Sequence, residues 1–329
     1  MNKGCLVISL DYELLWGMLD IPNMEAYGQN NVINVQLVID RMLALFEKYQ
    51  VKATFCTVGM LMCKDVNEVM SFAPKVYPAY DNDKLQPYGK CLEKVRRANQ
   101  NLYFAPNSIT KLLSNPYVEV GTHTFCHYYC WEKGQTIDQF EEDIKAAIRV
   151  AEAKGFSLKS IIFPRNNVSK DYLQVCAKHG ITTYRGNATK FFSKPKSRLF
   201  RLKNRICRLL DSYVPIGGTS SFRYEQLIPE DGLPVNVPAS RFFRPYSKYS
   251  SFLEPLRIRR IKNEIQYAAK HGEMYHLWWH PHNFGANMEK NMRNMELVLS
   301  YYAECHKKYG MKSYKMNELS ALIKERYGK

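Results

Sequence analysis

Four short stretches of this 329-residue chain place side chains that move protons or bind metal ions close together. Ile8-Ser9-Leu10-Asp11-Tyr12-Glu13 ends an apolar run with two carboxylates two positions apart. At the C-terminal end of a strand in a parallel barrel, such acids project toward the mouth where these folds do chemistry. Gly121-Thr122-His123-Thr124-Phe125-Cys126-His127 holds two histidines at i and i+4. One turn of helix would present both imidazoles to a single ion, leaving room for an acid from another strand and a water. Cys126 and Cys130 repeat that spacing, but about 100° around the same turn, so they read as packing residues. Phe163-Pro164-Arg165 adds a fixed cation, and Trp278-Trp279-His280-Pro281-His282 a second histidine pair. Taken singly, each has a plainer reading: a helix-capping acid, a surface arginine, a buried hydrogen-bonding histidine. Four strand ends bearing reactive residue types favour a common site.

The elements that must position these residues follow from hydrophobic patterning. Short β-rich runs at Cys5–Leu10, Lys52–Thr57, Val118–Gly121, Ser160–Phe163, Ile181–Tyr184 and Met274–Trp279 alternate with helical periodicity. That alternation predicts parallel strands joined by helical crossovers. Leu37, Val38, Met42, Leu45 and Phe46 form one apolar stripe on a helix over Val35–Tyr49. Asp138–Lys154 opens with acids and stops at Gly155, as the helix dipole and C-cap preferences require. Helices over Met288–Lys307 and Asn317–Arg326, with a short strand Met311–Tyr314 between them, complete the chain. Two segments break the rhythm and read as long insertions in a single domain of residues 1–329, at about 64–107 and 189–249. In the second, Leu199, Leu202, Ile206 and Leu209 recur at helical spacing among arginines and lysines, predicting a short basic amphipathic helix.

Composition narrows the function classes. Hydrophobic residues at 46%, charged residues at 24%, and 17 glycines with 15 prolines exclude disordered, collagen-like and low-complexity chains. No apolar run nears the roughly 18 residues of a membrane span. The first run is stopped by Asp11 and Glu13, so it does not read as a signal peptide. Nine scattered cysteines without a paired CxxC spacing fit reduced thiols in a cytoplasmic protein. The net charge is +16, and Tyr172–Leu210 carries ten lysines and arginines without a single acid. Such a stretch suits an anionic partner or a solvated basic face. Nucleic acid is not expected as a partner, because no zinc-finger or aromatic-basic RNA motif accompanies the charge.

In this order and rough spacing, five stretches resemble the motifs of the polysaccharide deacetylase (NodB-homology, carbohydrate esterase 4) family. They are Asp11 with Glu13, Ala53-Thr54-Phe55 with Gly59, His123-Thr124-Phe125-Cys126-His127, Phe163-Pro164-Arg165 and Leu277-Trp278-Trp279-His280. The subgroup associated with bacterial surface-polysaccharide clusters is the most similar. The resemblance runs over about residues 4–285, with 189–270 poorly covered. It implies an α/β fold, a distorted (β/α) barrel of the deacetylase type with long insertions. It further implies metal-dependent removal of acetyl from an N-acetylamino sugar.

Carried over by position, His123, His127 and Glu13 would hold a divalent ion of zinc type. Asp11 would be the base, Arg165 would hold it, and His280 would be the acid. The two acids could exchange roles, since the family usually has adjacent aspartates, and His282 rivals His280. The family's aspartate beside that histidine has no match better than Asp211 or Asp231, and its Pro-rich continuation after the arginine is replaced by Asn166-Asn167. Trp278, Trp279 and Tyr12 either stack on a sugar or pack in the core. The expected substrate is an N-acetylated sugar, whether nucleotide-linked, lipid-linked or an oligosaccharide. The expected location is cytoplasmic, with peripheral contact at an anionic inner-membrane surface. Hydrolysis of another amide or an O-acetyl ester, or a carbohydrate-binding relative without catalysis, are the alternative readings.

Overall fold

The computed structural model describes residues 3–187, 207 and 209–327. Leu199, Leu202 and Ile206 of the expected basic helix lie outside them. Among the described residues, nine strands form one sheet in which the strands pair in parallel, with one isolated antiparallel bridge from Phe222 to Met274. The strands are β1 (Cys5–Tyr12), β2 (Ala53–Thr57), β3 (Val118–Thr122), β4 (Ser160–Ile161), β5 (Thr183–Tyr184), β6 (Val235–Asn236), β7 (Arg241–Phe242), β8 (Met274–Trp279) and β9 (Lys312–Tyr314). Their order is β6-β5-β4-β3-β2-β1-β8-β7, and β9 pairs with the first half of β1. All eight residues of β1 are buried. A near-continuous apolar run, interrupted here by Ser9 and Asp11, is what a strand covered on both faces requires. The architecture is the distorted (β/α) barrel expected from the sequence.

Crossover helices bring each strand back to the same end. Val35–Tyr49 buries Val35, Val38, Ile39, Met42 and Phe46. Leu37, expected in that stripe, is 54% exposed, so the buried face is rotated toward Val35 and Ile39. Ile137–Ala153 opens with a reciprocal Thr136–Gln139 capping box and ends before Gly155, whose φ of +83° suits only glycine comfortably. Glu254–His271 and Met288–Tyr309 both descend from the strand C-terminal end, flanking β8 in sequence. Among the described residues, no helix is long and apolar enough to cross a membrane. All nine cysteines are unpaired.

The segment expected to be a second insertion contributes to the sheet itself. Val237 and Ala239 donate backbone hydrogen bonds to Tyr184 and Gly186, and a few residues on Ser240 and Phe243 donate to His276 and Trp278. One extended segment, 235–243, thus meets both edges of the curled sheet and closes it by chain continuity. Two-residue strands leave almost no periodicity to read, which is why this stretch resembled a loop. The first insertion is three-dimensional packing, with Leu92, Val95, Leu102 and Phe104 joining the main core.

Candidate active site

Asp11 lies at the end of β1 and Glu13 just past it, at the entry to a 3-10 turn over Leu14–Met18. Leu14 takes a left-handed φ of 49° to make that bend. The turn brings Gly17 against the Glu13 carboxylate, where a Cβ would stand only 2.3 Å from Cδ. A side chain at position 17 would therefore displace the carboxylate.

The Asp11 carboxylate accepts both arms of Arg185, at 2.6 and 2.8 Å. Arg185 follows β5, is 1% exposed, stacks 4.1 Å over the Trp278 ring, and also donates to Ser9 Oγ and Asn166 Oδ1. Burial pushes the Asp11 carboxyl up, but the Arg185 guanidinium and the nearby imidazoles of His280 and His123 outweigh it and hold the group below the usual range. Asp11 is therefore held in its ionised form. Ser9 carries the polar chain further, donating to His276 Nε2 while His276 Nδ1 donates to the Val237 carbonyl.

The two histidines after β3 converge by a route other than a helical turn. His123 closes the strand, Thr124 and His127 have left-handed φ of 66° and 61°, and the segment between them is irregular. Asp143, fully buried on the Ile137–Ala153 helix, accepts the backbone N–H groups of Phe125 and Cys126 at 2.7 and 3.1 Å. Thr124 Oγ1 accepts from Tyr128 N. Gly59 lets Phe125 pack against its backbone, with 2.5 Å between a built Cβ and the ring. The strained loop is thus overdetermined by its surroundings, the pattern expected where geometry serves chemistry. Cys126 and Cys130 are buried packing residues as expected, and burial pushes both thiols up.

Glu13 Oε2 stands 3.3 Å from His123 Nε2 and 3.0 Å from His127 Nε2, and all three residues are at most 6% exposed. Their donor atoms lie within 4.8 Å of one another. His123 Nδ1 donates to the Ile162 carbonyl at 2.8 Å, which leaves Nε2 with a free lone pair toward Glu13. Burial pushes the His127 imidazole down, although Glu13 opposes this, and keeps it in the neutral, metal-binding form. One carboxylate and two imidazoles are the donor set of an open tetrahedral zinc-type site, so these residues fit a divalent ion.

The other oxygen of Glu13 faces a second histidine pair. His280 Nε2 is 3.6 Å from Glu13 Oε1 and 3.7 Å from Asp11 Oδ2, and His282 Nε2 is 4.0 Å from Glu13 Oε1. The two histidines differ in access. His280 is 22% exposed, whereas His282 is buried and its pKa is pushed down to about 3, by burial first and by His280 second. His280 Nδ1 lies 3.4 Å from Asn283 Nδ2, and Asn283 Oδ1 accepts from Tyr27.

The structure thus brings together Asp11, Glu13, His123, His127 and His280 and leaves Arg165 apart. Arg165 is 37% exposed, bonds Asp20 and Glu132 at 2.7 Å each, and stacks on Tyr129. These partners hold its side chain away from Asp11, and the expected contact with Asp11 is made by Arg185 instead. Arg185 carried a usable signal, a cation directly after a strand, masked by the basic stretch around it. Asp211 pairs with Arg241 and Arg260, far from this chemistry in its bonding, and Asn283 occupies the place beside His280. Tyr12 and Trp279 are fully buried core residues, while Trp278 is half-buried under Arg185.

A parallel barrel with a Glu-His-His donor cluster and an arginine-held aspartate at its catalytic end defines the class of barrel hydrolases. Residues 34–184 match the sequence profile of the Polysaccharide deacetylase family. With the ordered motifs around Asp11, His123 and His280, this match supports a carbohydrate deacetylase of the polysaccharide deacetylase (NodB-homology, carbohydrate esterase 4) type. A Mycobacterium smegmatis protein assigned to the polysaccharide deacetylases superimposes with a TM-score of 0.60 at 14% identity, covering 99% of this chain and 92% of its own. A GH57-type branching enzyme of Pyrococcus horikoshii gives 0.50 at 12% identity, covering 96% and 69%. A carbohydrate esterase 4 pseudoenzyme of Bacillus anthracis gives 0.44 at 12%, covering 97% and 66%. At such identities the first two likenesses are of fold. No curated protein matches the chain.

Proposed function

We propose that the chain is a metal-dependent N-deacetylase acting on an N-acetylamino sugar of bacterial surface-glycan assembly. The observation that carries the reading is the convergence of the Glu13-His123-His127 cluster, the Asp11–Arg185 pair and His280 on one barrel end. A divalent ion held by Glu13, His123 and His127, of which zinc fits the donors best, would polarise the acetyl carbonyl and acidify a water. Asp11, ionised and fixed through both oxygens by Arg185, takes the proton of the attacking water. His280, open to the mouth and directed at both carboxylates, carries a proton to the departing sugar nitrogen. Burial of Glu13, His123 and His127 excludes competing water. Retention of both proton-transfer groups beside the donor cluster supports catalysis over binding alone.

The site chemistry would also serve an O-acetyl ester, so the test compares both bonds. Purified protein is expected to take up about one zinc-type ion per chain, lost in His123→Ala and His127→Ala variants that remain folded. The loaded protein is expected to release acetate from N-acetylated sugars presented as nucleotide-linked, lipid-linked and oligosaccharide forms. Uptake of no divalent ion, or release from O-acetyl sugars alone, overturns the reading.

A further inference from the structure

The helices Glu254–His271 and Met288–Tyr309 begin at the catalytic end of the barrel, and their first turns enclose an open groove of about 560 Å³ on the outer face. Four cations line it: Arg259, Lys262, Lys290 and Arg293. Among the described residues no carboxylate pairs with any of them. The acid within the groove, Glu254, is buried and bound by Arg257 and Asn294. Glu289 and Glu296 on the neighbouring surface are taken by Arg41 and Lys48.

The turn that supplies Ser251 to the groove carries exposed apolar side chains. Lys248–Leu253, the link from the closing segment into the first of these helices, buries none of its residues. Tyr249 is 84% and Phe252 76% exposed, more than any other large hydrophobic side chain described, and Leu256 and Leu297 add 41% and 40%. Large apolar side chains exposed close together in the chain, as Tyr249 and Phe252 are, mark an interaction site. An unneutralised cationic groove with aromatic side chains at its edge matches one chemistry in particular: phosphates in a plane with hydrocarbon beneath, where tyrosine and phenylalanine seat at the boundary and lysine and arginine meet headgroups. A soluble polyanion would use the four cations and leave the aromatic rim without a role.

We infer that this groove and its aromatic rim dock the protein on the surface of an acidic phospholipid bilayer, with the catalytic end of the barrel at the membrane. The surface is separate in sequence from the basic stretch at 189–210. Docking would hold the mouth at the level where a lipid-borne sugar is presented.

The test is co-sedimentation of the full chain with vesicles of equal parts phosphatidylcholine and phosphatidylglycerol, beside vesicles of phosphatidylcholine alone. It reads no turnover, so it stands apart from the deacetylase reading. Wild type is expected to pellet only with the acidic vesicles and to be released by salt. An Arg259→Gln/Lys262→Gln/Arg293→Gln variant is expected to lose about fivefold in partitioning per cation removed. Tyr249→Ser/Phe252→Ser is expected to lose about tenfold or more, with thermal melts confirming that both variants fold. Wild type left in the supernatant, or variants that pellet as wild type does, overturns the proposal. Loss in the cation variant with no loss in the aromatic variant overturns it in favour of a soluble polyanion.

Discussion

Arg185 and Arg165 show how differently two arginines at adjacent strand ends are used. Arg185 is fully buried, satisfies both oxygens of Asp11 and caps a polar chain through Ser9 to His276. Removing it leaves a buried, uncompensated carboxylate, so Arg185→Met is expected to cost about 3–5 kcal/mol of stability. Activity should fall with it, since the Asp11 carboxylate, the proposed base, loses its fixed orientation. Arg165 makes its pairs at the rim with partners about one-third exposed, where ion pairs contribute roughly 0–1 kcal/mol. Arg165→Gln is therefore expected to melt within a few degrees of wild type and to retain activity. Urea denaturation and acetate release on the two variants check the contrast, and comparable losses in both would reverse the assignment.

The loop after β3 is the element on which the donor cluster depends. Two of its residues sit in left-handed conformations that non-glycine side chains avoid, and Asp143 supplies the acceptors that hold the chain there. Burial pushes the Asp143 carboxyl up to about 6, while the N–H groups of Phe125 and Cys126 oppose the shift. Asp143→Ala removes those acceptors and leaves two buried N–H groups unpaired, at a cost of about 1–3 kcal/mol each. Because His123 and His127 then lose their fixed separation, metal affinity is expected to fall about 10–100-fold, as for other supports of metal ligands. Isothermal titration with zinc measures this directly, and unchanged affinity would show that the loop holds its shape without Asp143. Histidine spacing alone made this loop look like a helical turn. The i,i+4 pattern records only that two side chains can converge, and packing against Gly59 and Asp143 decides how.

At the scale of the whole molecule, closure of the barrel creates an interior that refuses protons. His276, fully buried between Ser9 and the closing segment, has its pKa pushed down to about 3 by burial and by Arg185. The unfolded chain binds a proton at this residue below its ordinary value near 6.5, and the fold does not. Its contribution is therefore fully present above about pH 6.5 and is lost as pH falls from there toward 3, by up to about 1.4 kcal/mol per pH unit. His282 works in the same direction. Denaturation midpoints measured from pH 7.5 down to 5 should fall in wild type and fall less steeply in His276→Gln. Equal slopes would show that His276 stays protonatable in the fold.

Patterning along the chain was enough for the strand–helix alternation, for β8 at Met274–Trp279, and for the grouping of Asp11, Glu13, His123, His127 and His280. Burial of a parallel strand and catalysis at its end both constrain residue type locally, so both leave a local trace. Segment 235–243 as the closure, Arg185 as the partner of Asp11, and Asn283 beside His280 came only from the tertiary structure. The first two are pairings across long stretches of chain, and the third is a local turn after Pro281; in all three the local sequence is ordinary: two-residue strands, one cation among many, an amide shortly after a proline. Such pairings depend on where the backbone brings two charges or two edges together, and that distance is set by the packed fold.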